Sequence, residues 1–117
     1  MVTLRNVKAQ IEADSPNWRL YLMDFVDDFR AHQQLSAIAQ PIDLSDNRMD
    51  AMLASTAQYL CEEQQLPCPD WLYGVPACKD PWFVAGLENL KAIALVESPL
   101  YFRIRKIFVL ENFLSRV

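Results

Sequence analysis

The side chains in this chain with the most chemistry in them are three cysteines, one histidine, two carboxylate pairs and an aromatic and basic cluster toward the C-terminus. Cys61, Cys68 and Cys78 are seven and ten residues apart. Structural zinc sites draw ligands in close pairs such as C-x-x-C. No such pair occurs here, and the only histidine, His32, lies 29 residues before Cys61. The spacing points to buried or idle thiols and to no metal. A Cys–His nucleophile would have to use His32. Its place near the end of a predicted helix fits a surface histidine favoured by the helix dipole. Asp27-Asp28 and Glu62-Glu63 are paired in sequence only: neighbours on a helix point about 100° apart and do not converge on one substrate. No glycine-rich phosphate loop of either common pattern is present. No catalytic residue and no cofactor is therefore expected, and an enzyme ranks last among the readings.

The binding candidates are clearer. Pro81-Trp82-Phe83-Val84 sets two large rings side by side. Successive side chains diverge, so one ring can enter the core while the other faces a partner, and Trp is frequent among residues that carry binding energy. Burial of both rings is the simpler alternative, given the area an aromatic covers. Arg103, Arg105 and Lys106 follow, with Phe102 and Ile104 alternating between the charges. Arg103 and Lys106, three apart, are expected on one helical face. Cations near the end of a short helix also suit its dipole. As a contact surface, Trp82, Phe83, Arg103, Arg105 and Lys106 would take phosphate, or an acidic partner through guanidinium forks.

These residues must be positioned by helices. Thr3 can cap a short helix over Val2–Asp14, with Leu4, Val7 and Ile11 on its face. Ser15-Pro16 reads as cap and first turn of a helix over Pro16–Gln33. Trp18, Tyr21, Leu22, Phe25 and Phe29 recur there at three- and four-residue steps, widened by Val26. Leu35–Ala39 extends that helix or starts a new turn, and Pro41 ends it. Ser45 or Asp46 can cap a third helix to about Gln65, with Met49, Met52, Leu53, Thr56 and Leu60 inward. Leu66–Pro81 holds four of the seven prolines, together with Trp71 and Tyr73. It is expected to be an ordered, extended loop. Leu87–Glu97 resumes helical spacing, with Leu87, Leu90, Ala94 and Leu95 inward. Ser98-Pro99 repeats the cap-and-proline start of a helix to about Arg105. Ile107–Leu110 fits a short strand or a buried turn, and Glu111–Val117 a closing helical turn.

Composition bounds the class. The 117 residues are 52% hydrophobic and 22% charged, enough for one core without disulfides or metal. Two glycines, Gly74 and Gly86, are too few for a hairpin-rich β protein. The expectation is a mainly α, single compact domain over residues 1–117. It has about four to six helices, the proline-rich loop and, near the C-terminus, a short strand or a buried turn. The net charge is −4, with four basic residues and one acid from Ser98 onward. A basic end therefore sits on an acidic body, and nucleic acid and anionic membrane are not the expected partners. An odd cysteine count, no secretory leader pattern at Met1–Gln10 and no apolar run approaching 18 residues point to a cytoplasmic protein.

The second half carries a resemblance. Leu66-Pro67-Cys68-Pro69-Asp70-Trp71, then Trp82-Phe83-Val84, then Ala94-Leu95-Val96-Glu97-Ser98-Pro99 stand in order. Phe102-Arg103-Ile104-Arg105, Ile107-Phe108-Val109 and Asn112-Phe113-Leu114-Ser115-Arg116 follow. This order resembles a family of small uncharacterised prokaryotic proteins, often encoded beside nucleotidyltransferase-like proteins in an arrangement like a toxin–antitoxin pair. The likeness spans about Leu66–Val117, with a looser likeness in the helix before it. Ile104 interrupts the basic run that the family carries after Phe102, and no catalytic residue transfers. The resemblance implies a non-catalytic, antitoxin-like accessory that occludes a nucleotidyltransferase-like partner. The alternative is a DNA-binding regulator using Asp46–Gln65 as its recognition helix. That helix offers Arg48 as its only cation against Asp50, Glu62 and Glu63, whereas groove binding needs several.

Overall fold

The computed structural model describes residues 1–115. It is mainly helical, with five α-helices and a two-stranded parallel sheet among those residues. The first helix, α1 (Leu4–Ala13), starts where Thr3 predicts. The Thr3 hydroxyl accepts from the Asn6 N–H, and the Asn6 side chain returns to the Thr3 N–H. Leu4, Val7 and Ile11 are buried on one face. Lys8 is buried with them, and its ammonium meets the buried Asp50 carboxylate at 2.8 Å and the Asp43 carbonyl. This ion pair ties α1 to the third helix.

A 3₁₀ turn at Ser15–Asn17 leads into α2 (Trp18–His32). Ser15 does not cap it, contrary to the reading from Ser15-Pro16. Its hydroxyl bonds back to the Ile11 carbonyl at 3.1 Å, since the tight turn places it against the end of α1. Leu22, Phe25, Val26 and Phe29 form the buried stripe. Gln33, at φ 52°, closes the helix by donating to the Phe29 carbonyl at 2.7 Å. A separate 3₁₀ turn, Leu35–Ala37, follows.

α3 (Asn47–Glu63) is capped by Asp46, whose carboxylate accepts from the Met49 N–H. The sequence predicts one inward face, but residues 50–58 are all buried. The small residues Ala51, Ala54, Ser55 and Ala57 let neighbours close on every side, which makes α3 the central helix. Its end turns at Gln65 (φ 56°), with the Leu66 N–H on the Cys61 carbonyl at 2.8 Å.

The proline-rich loop is ordered, as predicted. A 3₁₀ segment, Asp70–Gly74, buries Leu72, and the Trp71 indole donates to the Ile38 carbonyl at 2.8 Å. β1 (Trp82–Phe83) then pairs in parallel with β2 (Ile107–Phe108), Trp82 opposite Ile107 and Phe83 opposite Phe108. The second strand lies inside the predicted apolar run; the first is an addition. Between them lie a 3₁₀ turn (Glu88–Leu90), α4 (Lys91–Glu97) and α5 (Leu100–Arg103).

Two expectations about this stretch are corrected. The face of Leu87, Leu90, Ala94 and Leu95 does not point inward: Leu87 and Leu95 are exposed, and on α4 only Ala94 is buried. Ser98 does not cap α5 either. Its buried hydroxyl donates to the Ala94 carbonyl and accepts from the Val109 N–H at 2.8 Å, clamping α4 to the strand that follows. The predicted closing helix over Glu111–Val117 is a series of turns as far as Leu114. Arg116 and Val117 lie outside the described residues. The Cα radius of gyration, 13.4 Å, is that of one compact body of this length. Among the described residues, no helix is long and apolar enough to cross a membrane.

Candidate functional site

The five residues singled out in the sequence go to three different places. Arg105 is corrected first. It is not a surface cation but a buried one, 4% exposed. Its guanidinium donates to the Val75 carbonyl (3.2 Å), the Leu72 carbonyl (2.7 Å), the Ser55 hydroxyl (3.4 Å) and the Gln58 side-chain oxygen. Burial lowers its pKa from the usual arginine value. The reason for the inward turn is local. α5 ends at Arg103, Ile104 still has a helical backbone, and Lys106 then turns left-handed at φ 61° to feed β2. That reversal carries Arg105 toward α3.

Arg103 and Lys106 therefore do not share a helical face, contrary to the three-residue spacing. Both are exposed, linked by a turn in which the Lys106 N–H donates to the Arg103 carbonyl at 2.9 Å. Phe83 lies half-buried on one side of the sheet, stacked on Phe108 (centroids 4.9 Å apart) and covered by the Lys91 ammonium at 5.3 Å.

Trp82 lies on the other side and gathers a cationic surface. Its ring meets Trp18 of α2 at 5.5 Å, and Arg48 of α3 lies over it at 5.6 Å from the centroid. Arg19 covers the Trp18 ring at 5.3 Å, while one of its nitrogens donates to the Val84 carbonyl at 2.8 Å. The Trp82 N–H donates to the Lys106 carbonyl at 2.8 Å. Asn47 holds the next strip of chain, donating to the Ala77 carbonyl and accepting from the Lys79 N–H. Beneath them Cys78 is buried. Burial pushes its thiol up, while the Arg48 and Lys106 cations pull against that. Among the described residues, Arg48, Lys79, Arg103 and Lys106 form no salt bridge, whereas Lys8, Arg30 and Lys91 do. Two guanidiniums seated on two indoles are held with little rotamer freedom, and their outer edges remain free to grip an anion.

The other chemistry-bearing residues do not converge. His32 is exposed at the end of α2, its ring 3.0 Å from the Asp28 carbonyl and 3.3 Å from that residue's carboxylate. Cys61 and the half-buried Cys68 touch through their thiols, and burial pushes Cys61 up to about 12. Among the described residues no group of three or more His, Cys, Asp or Glu is placed to hold a metal ion.

The sequence reading named Trp82 and Lys106 but not Trp18 and Arg48, which pack against the Trp82 ring. Trp18 lies in a periodic helical stripe and Arg48 in an acidic neighbourhood, so only the packing of α2 and α3 against β1 brings them together. In comparison with known proteins, no family model, no curated protein and no solved structure matches the chain.

Proposed function

We propose that this protein is a non-catalytic accessory, antitoxin-like in action, that binds an acidic surface of a nucleotidyltransferase-like partner and occludes it. The observation that carries the reading is Arg48 seated over the half-buried Trp82, with exposed Lys106 holding the Trp82 N–H through its backbone carbonyl and neither cation in a salt bridge among the described residues. Trp82 supplies the apolar anchor. The cations supply charge-assisted contacts to carboxylates, and Arg103 extends the surface by one turn. The family resemblance supplies the kind of partner. Lys106 is exposed at a left-handed φ of 61°, as Gln33 and Gln65 are at φ 52° and 56°, so glycine can remove its ammonium without strain on the backbone. The alternative regulator reading loses its helix, because α3 is surrounded by protein along residues 50–58 and presents no such face to a groove.

The test is binding of the purified chain to a nucleotidyltransferase-like protein of the kind encoded beside members of that family, measured by titration at several salt concentrations. Wild type binds, more weakly as salt rises. Lys106→Gly relieves the left-handed backbone, folds with stability raised by about 0.5–1 kcal/mol, and binds at least tenfold more weakly. Arg48→Ala acts in the same direction on affinity. No binding by wild type sinks the function; undiminished binding by both variants sinks the surface.

A further inference from the structure

Six large apolar side chains that face solvent fall in one short stretch: Leu87, Ile93, Leu95, Val96, Leu100 and Ile104, from 47% to 80% exposed. On α4 the pattern is reversed from that of an ordinary surface helix. Only Ala94 points into the protein. At about 100° per residue, Ala92 and Val96 lie on the opposite ridge, with Ile93 and Leu95 flanking it. The charges of α4, Lys91 and Glu97, are confined to its two ends. The stretch offers roughly 500 Å² of apolar surface, toward the upper end of what a soluble monomer leaves open.

We infer that α4 is the seam of a homodimer, two copies of the helix packing antiparallel about a two-fold axis level with Ala94. In that arrangement Ala92 of one copy lies opposite Val96 of the other, small against large, so the helices approach closely. The Lys91 end of each helix lies beside the Glu97 end of its mate, bringing opposite dipole ends together, and Lys91, 3.0 Å from Glu88 of its own copy, shares its ammonium with Glu97 of the mate. The face is complementary to itself without any addition. Two such faces bury roughly 1,000 Å² in total, just under the usual range for specific complexes. The dimer is therefore weak and exchanging, with Kd in the range of about 1–100 μM. The helix at the centre of this seam lies away from the Trp82 ring: Lys91 at the start of α4 lies over Phe83, on the side of the sheet away from Trp82 and Trp18.

Sedimentation equilibrium of the full chain, over about 1–500 μM, tests it. Wild type is expected to move from monomer toward dimer mass with rising concentration, and no further. Val96→Glu, at a position 80% exposed, is expected to stay monomeric throughout, with Tm within about 2 °C of wild type. Ala92→Glu, at the other end of the ridge, repeats the test with a second folded variant. A wild type that stays monomeric across the range, growth past the dimer, or association undiminished in both variants overturns the inference.

Discussion

Replacing Arg105 by Met tests the internal logic of the fold most directly. Arg105 is a buried cation whose hydrogen-bond partners are all neutral: two carbonyls of the proline-rich loop, and Ser55 and Gln58 of α3. Methionine fills a similar volume and removes the charge. Two effects then oppose each other. Relief from burying an unpaired guanidinium returns several kcal/mol, and fully apolar replacements of buried ionic groups are sometimes stabilising. Against that, each acceptor left without a donor costs about 1–3 kcal/mol. The second effect wins here, because the Leu72 and Val75 carbonyls are main-chain atoms that no mutation can make apolar; Leu72 keeps the Val75 N–H at 3.2 Å, but the Val75 carbonyl and the Gln58 side-chain oxygen lose the guanidinium. The net cost works out at about 2–4 kcal/mol, or roughly 8–16 °C in Tm at this chain length. Arg105→Lys keeps the charge but puts its donors on one nitrogen, which cannot span acceptors on two elements; its loss is about 1–2 kcal/mol. Urea unfolding gives the stabilities. Amide exchange localises the loss, with protection falling first at residues 70–78. An Arg105→Met protein as stable as wild type, or more so, would refute the reasoning, because it would mean the loop is held by its prolines and aromatic packing alone.

Two further outcomes follow from the same geometry. Arg30 bonds the Glu63 carboxylate through two nitrogens at 2.9 Å, and this holds Glu63 below the usual carboxylate range. A carboxylate with a depressed folded pKa contributes stability above its unfolded value, near 4.3, and loses it as pH falls through the folded one. Since both side chains are about a third exposed, Glu63→Gln costs at most about 1 kcal/mol at neutral pH, and its gap to wild type closes below about pH 4; a gap that persists there would contradict the pairing. The cysteines should separate by reactivity. Half-buried Cys68 is alkylated first, whereas Cys61, pushed up to about 12, and buried Cys78 react only on unfolding; mass spectrometry of partially labelled protein reads the order.

The helices were legible in the sequence because their signals are local. Thr3 and Asp46 cap where their side chains can reach the next free N–H groups, and the stripe from Leu22 to Phe29 repeats at helical steps. Ser15 and Ser98 carry the same local signal and do something else, since each hydroxyl found a carbonyl one turn back. The strand Trp82–Phe83 was illegible because two residues have no periodicity, and their partner lies 25 residues on. The inward turn of Arg105 was illegible for a different reason. A basic residue among basic residues reads as surface, and nothing short of the φ of Lys106 shows that the chain reverses there.

That reversal links the fold to the proposed surface. A residue at φ 61° must follow Arg105 so that the guanidinium enters the core while the next backbone carbonyl meets the Trp82 N–H at 2.8 Å. Glycine would do this with less strain, and the chain contains two glycines elsewhere, so the requirement at this position is not met in the cheapest way. An exposed ammonium is what lysine adds over glycine. It is added within reach of the buried Cys78 and beside the Trp82–Arg48 stack, where its charge finds no carboxylate among the described residues. The same turn therefore sets one cation inside, where it orders the proline-rich loop, and leaves the next outside, beside an indole already fixed in place. An internal purpose explains the first cation completely; the second is the one that the proposed contact surface would use.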